Sequence, residues 1–101
     1  MGFLDKLFSK KRIDSRLIGK WSADSSEFPN TQMTFTSNGK LIYEITENEK
    51  VSIMNMTFET SEDLIISNQP SHPRIEKTRY SISGDLLTLD YEGVISKYRK
   101  M

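Results

Sequence analysis

From Leu17 onward, apolar side chains recur at every second position, in short segments that are separated by turn residues. A period of two is typical of β-strands that bury one face, and the pattern predicts eight of them. They span residues 18–23, 31–37, 40–46, 51–58, 63–68, 74–83, 86–91 and 94–99. Eight closely spaced strands with no helical pattern between them favour a sandwich or a barrel over a βαβ fold. We therefore predict an all-β fold, an eight-stranded antiparallel meander barrel.

The composition supports one compact core. Of the 101 residues, 36% are hydrophobic and 28% are charged, which matches a single domain of common size. No shift in composition and no repeat divides the chain. We predict one barrel domain over residues 17–101, preceded in residues 1–16 by an amphipathic helix and a connector.

Side-chain parity predicts two local irregularities in the strands. At residues 37–39, a three-residue loop with its glycine left-handed in a bulge pairs Phe35 with Leu41, whereas a two-residue loop would divide the apolar side chains between both faces. Further along, the apolar positions change parity between Ile53 and Met54. A β-bulge near Ile53 would bring both sets to one face.

Two tight turns join the last three predicted strands. Gly84 can supply the positive φ of a two-residue II′ turn, which pairs Ile82 with Leu87. The Glu-Gly pair at residues 92–93 can form another tight turn, which places Val94 beside Tyr91. The three strands are therefore expected to form a continuous meander.

Residues 2–11 have the pattern of a short amphipathic helix, with apolar side chains at helical spacing and lysines on the other face. A helix of about ten residues is marginal alone in water and needs an apolar surface, unless the segment stays disordered. That surface is either the body of the barrel, whose open end the helix would cap, or a membrane interface or protein partner. The residues for membrane or partner contact are Phe3, Leu4, Lys6, Leu7, Phe8, Lys10 and Lys11.

The chain has no cysteine, and its first 30 residues contain no apolar run longer than two. Small secreted domains usually need disulfides, and a signal peptide needs a longer apolar run. We therefore expect a cytoplasmic protein, with peripheral membrane contact through residues 2–11 as a further possibility.

The charge pattern argues against nucleic-acid binding. Lys and Arg number 14 and Asp and Glu number 14, so the chain as a whole has no basic field. The sixth predicted strand contains Lys77 and Arg79, but Tyr80 has the opposite parity and should point inward. The basic face therefore lacks an aromatic platform on which bases could stack.

No residue pattern indicates catalysis, a cofactor or a metal site. The single histidine, His72, lies between Ser71 and Pro73 in a predicted loop, and no set of His, Cys or carboxylate residues has ligand spacing. Carboxylate pairs fall at predicted turns, where solvation is the usual state. We expect a protein that is not an enzyme.

The first strand contains Gly-x-Trp at Gly19 and Trp21, and the last strand ends near Arg99. Together with eight meandering strands, this resembles the small lipocalin-like (calycin) β-barrel proteins. The resemblance implies that Trp21 packs near the closed end of the barrel, with Arg99 across it in a cation–π contact. It makes Gly19, Trp21 and Arg99 structural residues.

The interior of a barrel of this size is either filled by side chains or holds one small ligand. Bulky inward residues favour filling, whereas methionines and tyrosines make an adaptable lining with hydroxyl groups. The candidate ligand-binding residues are Tyr43, Met54, Met56, Phe58 and Tyr80. The leading hypothesis is a non-catalytic binding module that holds a modest hydrophobic ligand or presents a protein-binding rim. The alternative is an interaction or inhibitor scaffold, for instance of the immunity type, with a filled core.

Overall fold

The computed structural model describes residues 12–24, 30–71 and 73–101. Eight antiparallel strands form a closed barrel in sequence order, each paired with the next and the last paired with the first. The strands are β1 (Gly19–Ala23), β2 (Asn30–Phe35), β3 (Lys40–Glu47), β4 (Lys50–Ser61), β5 (Leu64–Asn68), β6 (Ile75–Ser83), β7 (Leu86–Tyr91) and β8 (Val94–Lys100). A 3₁₀ turn, Ser15–Leu17, precedes β1. The predicted all-β, eight-stranded barrel is confirmed, while the predicted helix at residues 2–11 and the loop residue His72 lie outside the described residues.

The predicted registers hold at the hairpin turns. Phe35 pairs with Leu41 across a three-residue loop, and Gly39 in that loop has a φ of 84°. Ile82 pairs with Leu87 across the turn at residues 84–85. Side-chain parity was sufficient for these registers because a slip of one residue would move each strand's apolar set to water.

The predicted bulge near Ile53 is wrong. β4 pairs with β3 without interruption from Lys50 to Thr57. The apolar residues change parity because Val51 and Ile53 point out of the barrel, whereas Met54 and Met56 point in. Val51 is 57% exposed and Ile53 is 58% exposed. These β-branched residues suit an extended strand even where they are not buried.

The two ends of the barrel differ. The closed end contains the turns at residues 36–39, 62–63 and 84–85 together with the segment before β1. The mouth contains the turns at residues 48–49 and 92–93 and the described loop residues 69–71 and 73–74. Among the described residues, ten buried apolar side chains form one core cluster. Five of them fill the closed end: Leu17, Trp21, Phe58, Tyr80 and Leu87. The other five line a cavity on the side of the mouth.

The 3₁₀ turn seals the closed end. Leu17 in this turn is fully buried, and its carbonyl oxygen accepts a 2.9 Å hydrogen bond from Nε1 of Trp21. Before the turn, Asp14 accepts a hydrogen bond from the backbone N–H of Arg16 at 3.0 Å. The hydroxyl of Tyr80 donates to the other carboxylate oxygen of Asp14 at 2.8 Å, so the turn is tied to β6.

Candidate ligand-binding cavity at the mouth of the barrel

The barrel is not filled to its mouth. A cavity of about 290 Å³ lies above the closed end, inside the ring of strands. Its lining residues are Met33, Phe35, Leu41, Tyr43, Met54, Met56, Ile65, Ser67, Glu76, Thr78, Leu89, Tyr91, Ser96 and Tyr98. Every strand from β2 to β8 contributes to this lining, so the cavity is a product of barrel closure.

The cavity has two chemically different walls. The wall from β2, β3 and β4 is mostly apolar and includes the flexible side chains of Met54 and Met56. The wall from β5 to β8 adds hydroxyl groups, including those of Ser67, Thr78 and Ser96. A lining of this kind suits a ligand with an apolar body and one hydrogen-bonding group.

Two tyrosine hydroxyl groups meet in the cavity lining. The hydroxyl oxygens of Tyr43 and Tyr98 lie 3.2 Å apart and form a hydrogen bond. Burial raises the pKa of Tyr43 well above its ordinary value, and the hydrogen bond to Tyr98 adds to that effect. Both effects keep the Tyr43 phenol protonated, so its neutral hydroxyl can donate or accept a hydrogen bond with a ligand.

A carboxylate lies at the rim of the polar wall. Glu76 lines the cavity, and its side chain is 33% exposed. Nε of Arg74 lies 3.2 Å from Oε1 of this glutamate. Nearby, the pKa of Tyr91 is raised by desolvation and then by the negative charges of Glu76 and Glu92. The tyrosine hydroxyl and the carboxylate of Glu76 therefore share one part of the lining.

Three of the five predicted ligand-binding residues line the cavity: Tyr43, Met54 and Met56. Phe58 does not: it lies in the closed-end core, where its ring meets that of Phe35 edge-on with centroids 5.0 Å apart. Tyr80 also lies below the cavity, where it donates to Asp14 and its pKa is raised to about 12, first by burial. Both side chains point inward, but they lie closer to the closed end than the cavity does.

The polar lining residues were not predicted, although one signal could have found them. Glu76 and Thr78 share the parity of Tyr80 on β6, which places all three inward. Ser96 has the parity of Tyr98 on β8 in the same way. The candidates were chosen among apolar and aromatic residues, so those that line the cavity all come from the wall formed by β2, β3 and β4.

The cation next to Trp21 is Lys100 and not Arg99, which corrects the assignment made from the resemblance. Nζ of Lys100 lies 4.7 Å from the centroid of the Trp21 ring. Because Arg99 has the opposite parity, its guanidinium lies outside the barrel, 3.4 Å from Asp24 and 3.2 Å from Asp85.

Gly19 permits the approach of Lys100 to the closed end. Its φ is 131°, a region that side chains disfavour, and an added Cβ would lie 2.8 Å from Cε of Lys100. The same lysine donates from Nζ to the carbonyl oxygen of Ile18 at 2.5 Å. The glycine, the tryptophan and the lysine therefore join β1 to β8 at the closed end.

Within residues 12–24, 30–71 and 73–101, no three His, Asp or Glu side chains converge so that they could hold a metal ion. In the same ranges, no helix is long and apolar enough to cross a lipid bilayer. No protein-family model, no curated protein and no solved structure matches this chain. The basis for a functional assignment is therefore the chemistry of the cavity.

Proposed function

We propose that this protein is a non-catalytic binding module of the lipocalin-like type, which holds one small and partly apolar ligand in the mouth of its barrel. The supporting observation is the cavity of about 290 Å³, whose lining is mostly apolar from β2 to β4 and includes hydroxyl groups from β5 to β8. A cavity of about 150 Å³ can hold benzene, so roughly twice that volume suits a ligand of about a dozen non-hydrogen atoms. The ligand's polar group would face the hydroxyl and carboxylate groups that β5 to β8 contribute to the lining.

Kinship with the lipocalin-like proteins is part of this proposal. It is supported by the meander order of the eight strands and by Trp21, which packs under a 3₁₀ turn at the closed end. Binding without catalysis is supported by the protonated phenol of Tyr43. The raised pKa of Tyr43 makes its phenol a hydrogen-bond partner and a poor nucleophile at neutral pH.

A pair of variants tests whether the ligand enters this cavity. Thr78→Phe places a ring in the cavity, whereas Thr88→Phe places the same ring on the outer face of β7. With phenylbutanol as the probe, NMR titration of the unmodified protein should shift the methyl resonances of Met54 and Met56. We expect Thr78→Phe to weaken binding at least about tenfold, which is about 1.4 kcal/mol, and Thr88→Phe to leave it unchanged. Absence of any shift, or equal affinity in both variants, would refute the proposal.

A second candidate function follows from the edge of β4, where an extended peptide segment of a partner protein could add a strand. Among the described strands, residues 50–56 of β4 pair only with β3, because β5 joins from Thr57 onward. An unpaired edge can accept an added strand through backbone hydrogen bonds, and the exposed Val51 and Ile53 would cover the incoming side chains.

The substitution Ile53→Lys separates the two candidate functions. A lysine on a sheet edge opposes strand addition, so we expect it to abolish pull-down of any partner bound there. The affinity for phenylbutanol should stay within about twofold, since Ile53 points away from the cavity. Unchanged partner capture by this variant would contradict strand addition.

A further inference from the structure

The charge in the cavity lining is negative. Of the described residues that line the cavity, Glu76 is the one with an acidic side chain, and none has a basic one. Like Thr78 and Tyr80 on β6, Glu76 points into the barrel. Of these three residues it lies nearest to the mouth. A ligand that enters the mouth therefore passes or meets this carboxylate.

The groups around Glu76 are suited to a cation. The rings of Tyr43, Tyr91 and Tyr98 line the same cavity, and aromatic faces attract ammonium groups. The thioether of Met56 is polarisable and adapts to irregular apolar shapes. An acid, tyrosine rings and methionines together can hold an ammonium group and the hydrocarbon attached to it.

The described turns at the mouth contain more acidic residues than basic ones. In and next to its described hairpin turns are Glu47, Glu49 and Glu92, in addition to the inward Glu76. The described bases in or next to the same turns are Lys50 and Arg74. Clefts bordered by one sign of charge raise the local concentration of ligands of the opposite sign.

We propose that the cavity binds a cationic amphiphile, an amine with an apolar body, and that Glu76 is the carboxylate that pairs with the ammonium group. This inference rests on the proposed function and names the ligand class for the same cavity. A carboxylate ligand is disfavoured, because its charge would lie beside that of Glu76 in a partly desolvated site. A neutral ligand of the same shape would leave the glutamate without a new partner.

Arg74 competes with the ligand for this carboxylate. Its Nε lies 3.2 Å from Oε1 of Glu76, while its own side chain is 76% exposed. An exposed ion pair contributes little to stability, so an incoming ammonium group can displace the arginine at small cost. Removal of the Arg74 charge should therefore strengthen amine binding.

Three probes of equal non-hydrogen atom count test the proposal by NMR titration and calorimetry: phenylbutylamine, phenylbutanol and phenylpropanoate. We expect the amine to bind about tenfold more tightly than the alcohol, as a charge-assisted hydrogen bond at a partly exposed site implies. Glu76→Gln should remove that preference, and Arg74→Gln should increase it about twofold to threefold. Glu44→Gln is the matched control, since Glu44 lies on the outer face of β3.

The outcomes separate this inference from the proposed function. Equal binding of amine and alcohol, unchanged in Glu76→Gln, would overturn the amine inference and leave the binding module intact. Tightest binding of phenylpropanoate would likewise overturn it. Failure of all three probes would contradict both. Circular dichroism and the thermal midpoint of each variant show whether an affinity loss reflects a loss of folding.

Discussion

Replacement of Trp21 by alanine is expected to lower the free energy of unfolding by about 3–5 kcal/mol, the range for deletion of a large buried ring. Trp21 is 1% exposed, and it joins the 3₁₀ turn to the barrel through Leu17 while Lys100 covers its ring. Because domains of this size are stable by only about 5–15 kcal/mol, the variant should be close to unfolding at 37 °C. Guanidinium titration followed by circular dichroism measures the change.

The matched control is Trp21→Phe, which keeps an aromatic ring under Lys100 but removes the indole N–H. The carbonyl oxygen of Leu17 then loses its 2.9 Å donor. Loss of that buried hydrogen bond is expected to account for about 1–2 kcal/mol, so this variant should be clearly more stable than Trp21→Ala. A cost below about 1 kcal/mol for the alanine variant would show that the ring does not hold the closed end together.

The second large effect is expected at Asp14. Hydrogen bonds from Arg16 lower the pKa of this carboxyl from 3.8 to about 2, with Tyr80 adding to the effect and burial opposing it. A carboxyl with a lowered pKa in the folded state stabilises the fold above its unfolded pKa of 3.8, and this contribution is lost as the pH falls through about 2. We expect it to amount to about 1–2 kcal/mol at neutral pH, after allowance for screening of the exposed Arg16.

Two substitutions separate the charge of Asp14 from its capping role. Asparagine can still accept the hydrogen bond from the N–H of Arg16, so Asp14→Asn should keep the cap and lose the charge together with the acceptor for the Tyr80 hydroxyl. Asp14→Ala should lose the cap as well and cost about 2–3 kcal/mol. Urea titrations at pH 5 and pH 2 test the sign, since the gap between unmodified protein and Asp14→Asn should narrow at the lower pH. A gap that widened with acid would contradict this assignment.

Strand parity was informative wherever inside and outside differ in polarity. Phe35 and Leu41 could be paired from the sequence because only one loop length places both in the core. Val51 and Ile53 were misinterpreted because apolar character alone does not distinguish a buried face from an exposed strand edge.

The cavity was harder to predict, since polar and charged side chains are usually assigned to the outer face of a strand, whereas several of them line this cavity. Glu76 has inward parity and a charged side chain, two signals that conflict in a filled core and agree only in a barrel that stays open at one end. The same parity rule separates the last two cations of β8. Tyr98 points inward, so Lys100 does too, whereas Arg99 points to solvent. An assignment by strand parity alone, without regard to residue type, would have placed both Glu76 and Lys100 on the inner face.

The pairing of β1 with β8 also constrains how the protein can fold during synthesis. Trp21 in β1 is opposite Lys100 in β8, so the hydrogen bonds that complete the ring join the first strand to the eighth. While β8 is still inside the ribosome, the preceding seven strands can form at most an open sheet, with β1 and β7 as unpaired edge strands. Until β8 has left the ribosome, the edges of β1 and β7 therefore stay open to pairing with another chain.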